Sequence, residues 1–399
     1  MAKSSNIVSI IGRYSIAFIK LSLYFCYTRQ YTLNNLLGDH PVANLESYQN
    51  SSPQPAKARD FPNDVNRVVK TLAVDDRLEN LDLIYRTDLV EMTNGLRYIV
   101  GYNTIEPTKQ REMDPANKKF AGSDMVVLEG TAWTTKNGKY YKDRHDVLAL
   151  EHRRPSIIVG VQQNLNRFNN FYKTTDDMLA IHSFYAAVLG YDQDNMTTMG
   201  TSRGGMLALL LQMRASKYGK NVVHSDSMVP CVPTTMDTVK MFSPLNLMKL
   251  VRNEAKTSRH LGMSMSETLE LVDVFDFLSV RGLIQQIKEG LALGGSNLAL
   301  AAEKSPNKDT VGDIVVQRGD AMSFADKWPA IFANHAYMNI EIRDGGGHGS
   351  CISKRYFNEA MERQQAVATA LHTHPEHRKL SGPALRTLID QHHVRNQAA

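Results

Sequence analysis

Met196-Thr197-Thr198-Met199-Gly200-Thr201-Ser202-Arg203-Gly204-Gly205-Met206-Leu207-Ala208-Leu209-Leu210-Leu211 is the stretch on which the fold turns. Met196 to Met199 reads as a short strand. Gly205 to Tyr218 reads as a helix, with Met206, Leu207, Leu209, Leu210, Leu211 and Met213 making it strongly apolar. Ser202 sits at the apex between them. A strand that turns into a helix this sharply leaves no room for side chains two residues before or after the apex. Gly200 and Gly204 occupy both positions, and Gly205 lets the helix approach closely. Such a turn presents a serine oxygen, which is a poor nucleophile until its proton is removed. The helix also aims its N-terminal N–H groups at charge developing on a substrate.

Outward from this turn, strands and helices alternate. Upstream, Asp82 to Met92 and Leu96 to Asn103 are strand-like and joined around Asn94-Gly95. Asn-Gly favours a type I′ turn, in which both residues take positive φ. Met125 to Leu128 and Ser156 to Val161 are short apolar strands. Thr174 to Leu189 is a helix, with Thr174-Thr175-Asp176-Asp177 as its cap and acidic first turn. Downstream come a strand from Val222, a strand at Gly312–Gln317, a helix at Ala325–His335, a strand at Met338–Arg343 and a helix at Lys354–His372. The alternation predicts an α/β fold, a mostly parallel sheet with helices on both faces. It pauses from Thr234 to Ser305, where Leu245–Lys256, Ser266–Leu278 and Gly282–Leu293 are all helical. That block reads as an inserted lid. The expected organisation is an N-terminal amphipathic segment and linker at 1–55, core at 56–233, helical lid at 234–305, then core and tail at 306–399.

Further positions complete a reactive centre. His348 lies in Asp344-Gly345-Gly346-Gly347-His348-Gly349, after the last strand. Histidine suits a general base because an unperturbed imidazole titrates near neutrality, and the glycines let the loop bring the ring to the serine. Asp320 ends the strand before it and suits the carboxylate that orients the imidazole. Asp326 and Asp226 are rivals for that role. Two backbone donors should hold the oxyanion: the N–H of Arg203, and one from Gly130 or Thr131 after the Met125–Leu128 strand.

The order Ser202, Asp320, His348 and the elements around it resemble the α/β-hydrolase superfamily, from about Asp82 to His372. The resemblance implies a serine hydrolase with Ser202 as nucleophile, His348 as base, Asp320 as acid, and Arg203 with Gly130/Thr131 as oxyanion hole. In place of the superfamily's common His-Gly oxyanion loop, this chain has Glu129-Gly130-Thr131-Ala132-Trp133.

Composition narrows the function classes. The net charge is only +5, from 46 basic and 41 acidic residues that are interspersed. A nucleic-acid binder would carry a dense basic stripe. Cys26, Cys231 and Cys351 match no zinc or redox spacing, and Cys351 has no elbow of its own. The five histidines from His372 to His393 read as a polar tail. No metal or cofactor is expected.

The N-terminal segment is basic and amphipathic. Ile7, Ile10, Ile11, Tyr14, Phe18, Leu21 and Phe25 recur at helical steps, with Arg13 and Lys20 on another side. Residues 5–30 therefore suit a helix packed on the enzyme or on a subunit, or contact with a membrane surface; a targeting peptide, which is likewise basic and acid-poor, and a signal anchor interrupted by two charges are the other readings. No later stretch is apolar for long enough to span a bilayer. The expected location is cytoplasmic, with membrane association through that segment as the variant.

Six of the 18 methionines fall between Met228 and Met265. Such a lid suits greasy acyl chains, or else is simple helical packing. The expected activity is hydrolysis of a carboxylic ester, lipid-like in the variant reading, through an acyl-serine intermediate on a small-molecule substrate. Acyl transfer and peptidase or amidase chemistry use the same triad. An inert hydrolase-fold binding or assembly protein is the alternative of another class.

Overall fold

A nine-stranded mixed sheet organises the computed structural model. It describes residues 61–75, 83–105, 124–127, 157–161, 171–189, 195–228, 243–260, 311–335, 338–344 and 346–348, and scattered positions within 230–241, 294–299, 359–363 and 384–391. The strands are β1 (Val65–Asp75), β2 (Leu83–Met92), β3 (Arg97–Ile105), β4 (Asp124–Val127), β5 (Ile157–Val161), β6 (Asn195–Thr201), β7 (Asn221–Met228), β8 (Val311–Gln317) and β9 (Met338–Arg343). Their order across the sheet is β1-β2-β3-β5-β4-β6-β7-β8-β9. The first three form an antiparallel meander, and β3 meets β5 antiparallel. From β5 to β9 every neighbouring pair is parallel.

β1 is an element that the sequence pattern leaves unassigned. Its mixed charged and apolar residues give no clean period, and most of its residues are exposed. It is an edge strand held by pairing with β2, with register shifts along its length, a common way of blunting an edge. The hairpin after β2 also differs from the expected type I′ turn. Gly95 N–H donates to Met92 O at 2.8 Å, and Met92 N–H to Leu96 O at 2.8 Å. Gly95 alone has positive φ, at 77°. This is a three-residue loop with glycine in the left-handed position, in which Asn94 needs no positive φ. Asn94 instead donates to Asp177 at 3.2 Å.

The helices are α1 (Phe171–Leu189), α2 (Arg203–Arg214), α3 (Pro244–His260) and the single turn α4 (Trp328–Ile331). α1 starts three residues earlier than its apparent cap. Thr174, Thr175, Asp176 and Asp177 are consequently one turn inside and buried. Tertiary partners replace the capping role. Arg214 pairs with Asp176 through Nε and Nη2 at 2.7–3.0 Å. Asp177 accepts from Tyr98 Oη at 2.8 Å and from Asn63 at 3.1 Å. Burial raises the Asp177 pKa, outweighing these bonds.

The expected helix at 325–335 is also shorter. A 3₁₀ turn at Ala325–Lys327 is followed by α4 alone. Pro329 cannot donate to the carbonyl of Ala325, and its ring would strike it, so no continuous α-helix runs through both. Of the expected helix at 354–372, Glu359, Ala360, Glu362 and Arg363 are described and helical. The expected helices at 266–278 and 282–293 lie outside the described residues.

α2 packs on the sheet through its glycines. A Cβ on Gly205 would lie 2.6 Å from Ser227 Oγ, which places Ser225 and Ser227 of β7 on the α2 side. His224 and Asp226, at alternate positions, face the opposite side. There Arg363 pairs with Asp226 at 2.7 Å and Arg386 with Asp313 at 2.9 Å. Helical segments therefore cover both faces. The core joins Val90, Tyr98 and Val100 of the meander to Met178 and Ile181 of α1, Leu207, Leu209 and Leu210 of α2, and Ile314, Val316 and Trp328. Each fully buried leucine of α2 contributes about 2 kcal/mol relative to exposure.

Candidate active site

Ser202 stands between the end of β6 and the first turn of α2. Its backbone is at φ 56°, ψ −123°, a region that costs a non-glycine residue on the order of 1–3 kcal/mol. The surroundings enforce it. Ser202 N–H donates to Met228 O at the end of β7 at 2.9 Å, and Ser202 O accepts from Gly205 N–H at 3.0 Å. A Cβ on Gly200 would lie 2.1 Å from the carbonyl oxygen of Gly204, so position 200 admits only glycine. The backbone is spent on presenting one hydroxyl.

His348 arrives from the far side. After β9 the chain passes through Gly346, whose φ of 71° favours glycine. His348 Nε2 then lies 2.7 Å from Ser202 Oγ, and Nδ1 lies 2.7 Å from Asp320 Oδ2. An ionised carboxylate only accepts, so Nδ1 carries the hydrogen toward Asp320. Nε2 is left to accept from the serine hydroxyl. The side chain of Asp320 is fully buried and that of His348 is 15% exposed.

Asp320 is itself fixed at both oxygens. Oδ1 accepts from Met322 N–H at 2.8 Å, and Asp320 N–H donates to Gln317 O at 3.0 Å. The turn follows the end of β8, which is buried throughout. An aspartate whose side chain accepts from the backbone two residues on is a local habit of this residue type. In the sequence, Asp320 is set apart from its rivals by chain order and its place at the end of a strand. Asp326 is 73% exposed and pairs with Arg318 at 2.7 Å. Asp226 is buried on the other face against Arg363. Neither is among the partners of His348.

Arg203 opens α2, and its side chain is buried. Its N–H belongs to the helix N-terminus beside Ser202. Gly130 and Thr131 lie outside the described residues, as do all three cysteines and residues 5–30. Among the described residues, no group of histidine, cysteine and carboxylate side chains is arranged to hold a metal ion. Among them, too, no helix is long and apolar enough to cross a membrane.

The strand order, the elbow at Ser202 and the Ser–Asp–His order along the chain define the α/β-hydrolase fold. No protein-family model and no curated protein sequence matches the chain. Solved structures similar to it include fungal esterases from Rhizomucor miehei, at 11% identity and a TM-score of 0.47 over 73% of this chain and 84% of theirs. An acetyl xylan esterase from Paenibacillus sp. R4 matches at 12% and 0.45 over 81% and 91%. A bromoperoxidase from Bacillus anthracis matches at 15% and 0.45 over 69% and 98%.

Proposed function

We propose that the protein is a serine hydrolase that cleaves a carboxylic ester through an acyl-Ser202 intermediate. One observation carries this reading: Ser202 Oγ, His348 and Asp320 form a continuous line of two 2.7 Å contacts at a strained elbow. His348 Nε2 takes the hydroxyl proton as Oγ bonds to the substrate carbonyl carbon. The oxyanion is met by the Arg203 N–H and by a donor from the Gly130/Thr131 loop. The imidazolium, held by Asp320, returns its proton to the departing alcohol, and the acyl group stays on Oγ. Water then repeats the sequence, with His348 as base, and releases the acid.

The segment 234–305 serves as the lid in this proposal. Residues 5–30 would supply contact with a membrane surface or subunit. Leu245 and Met248 of α3 are 66% and 62% exposed, which suits a lid that meets apolar substrate. The test is labelling by a fluorophosphonate probe, together with turnover of p-nitrophenyl esters of graded chain length. Wild type is expected to label and Ser202→Ala to remain unlabelled. Labelling that survives Ser202→Ala, or fails in folded wild type, overturns the proposal. A preference for two-carbon acyl groups would remove its lipid-like variant.

A further inference from the structure

Two asparagines of α3 reach the turn that carries Asp320. Asn246 and Asn253 are seven residues apart and share one helix face. Asn246 Nδ2 donates to Ala321 O at 2.6 Å and to Met241 O at 3.4 Å. Asn253 Nδ2 donates to Gly319 O. The two carbonyls flank Asp320 on either side. A third tie lies just beyond: Lys327, in the 3₁₀ turn, pairs with the buried carboxylate of Asp237, which precedes α3. The segment between β7 and β8 is thus bonded to residues 319–327 at three points.

The turn needs such support. It is irregular and contains Gly319. Its backbone is tied on one side by Arg318 N–H to Arg343 O at 2.9 Å and on the other by Trp328 Nε1–H to Ser323 O at 2.7 Å. Between those ties, the carbonyls on either side of Asp320 are held by the two asparagines of α3, and moving Asp320 away from the imidazole would stretch one or both bonds. We propose that Asn246 and Asn253 are positioning residues that hold Asp320 in line with His348, so that the inserted helix is coupled to the triad acid as well as covering the site. This rests on the triad reading above.

The test is Asn246→Ala/Asn253→Ala in the full chain, with the active fraction counted by fluorophosphonate. kcat per labelled molecule falls about 10²-fold, the scale of an approximately 1 Å misplacement, with KM unchanged. The acid limb of the kcat/KM profile moves to lower pH, because an imidazolium without its carboxylate gives up its proton more readily. In an Asp320→Asn background the same pair of substitutions costs nothing further, since residues acting through one group are not additive. An equal fold-loss in both backgrounds, or an unmoved acid limb, overturns the inference. If the double variant does not fold, Asn253→Ala alone is read in the same way. A readout independent of turnover is the far-downfield proton resonance of the His348 Nδ1–H to Asp320 bond. It weakens or vanishes in the variant, and its persistence unchanged overturns the inference even if the wild type proves inactive toward every ester.

Discussion

Two histidine–aspartate pairs flank β8, and they have opposite fates. His348 Nδ1 meets Asp320 at 2.7 Å beyond the end of the strand, and His224 Nε2 meets Asp313 at 2.7 Å near its start. Residue types and distance are the same. The difference lies in what else each pair touches. The second nitrogen of His348 faces Ser202 Oγ. The second nitrogen of His224 is buried without a hydrogen-bond partner among the described residues, and its ring is fully enclosed. Asp313 is further occupied by Asn339 at 2.8 Å and Arg386 at 2.9 Å. Burial alone would raise the Asp313 pKa. The bond from His224 and the charges of Arg386 and Arg363 outweigh it and hold the carboxyl well below the usual range. A short His–Asp contact is therefore no sign of chemistry by itself. What sets one pair apart is the serine oxygen on its other nitrogen. The other pair, bonded to Asn339 and Arg386, ties β7 and β8 to β9 and the C-terminal segment.

The contrast breaks most visibly at the serine. Ser202→Ala should lower ester turnover by about 10⁶-fold, the scale seen when such a nucleophile is removed, with the thermal midpoint preserved. Asp320→Asn comes next. It keeps the shape but favours the wrong imidazole tautomer, and kcat should fall about 10⁴-fold. Both are read by active-site titration and steady-state kinetics.

Asp313→Ala should do the reverse. It leaves Arg386 and the His224 N–H facing each other without an acceptor, so stability should fall by about 3–5 kcal/mol in denaturant unfolding. Turnover per labelled molecule should stay at the wild-type value. If turnover collapses while the fold holds, the second pair is part of the site and the comparison fails.

A smaller effect concerns acid. The folded pKa of Asp313 is depressed, so its stabilisation is fully present above the unfolded value of about 3.9. It is lost as pH falls below that value toward the folded pKa. Unfolding free energy measured from about pH 5 downward should therefore decline less steeply in Asp313→Ala than in wild type. Smallest of all is Asp326→Asn. Its bond to Arg318 is exposed on both sides, and loss of such a pair changes stability by at most about 1 kcal/mol. Activity should be unchanged. A large loss there would reinstate Asp326 as the acid.

Sheet, elbow and triad order were legible in the sequence to different depths. β6, the Ser202 turn and α2 follow from local backbone sterics, since the glycines at 200 and 205 are needed within a few residues of the serine. The strands β8 and β9 and the histidine loop follow from apolar runs and Gly346. β1 was not legible, because an exposed edge strand has no core-facing period and exists only through its partner. The start of α1 was misread because Asp176 and Asp177 resemble capping residues, while their partners Arg214, Tyr98 and Asn63 are distant in the chain.

The choice among Asp226, Asp320 and Asp326 marks the same boundary. By sequence alone, the chain specified a strained serine, a downstream histidine on a glycine loop and three carboxylates near strand ends. The backbone around each obeys short-range rules, and those rules are written locally. Only the tertiary structure decided which carboxylate meets the imidazole, which is clamped by Arg363 and which faces water. It also decided that His224 and Asp313 would pair beside Asn339 and Arg386, and that Asn246 and Asn253 would reach the acid turn. Each of these is a contact between residues far apart in the chain. Their geometry is fixed by how strands register and helices pack, and no short window of sequence contains that information.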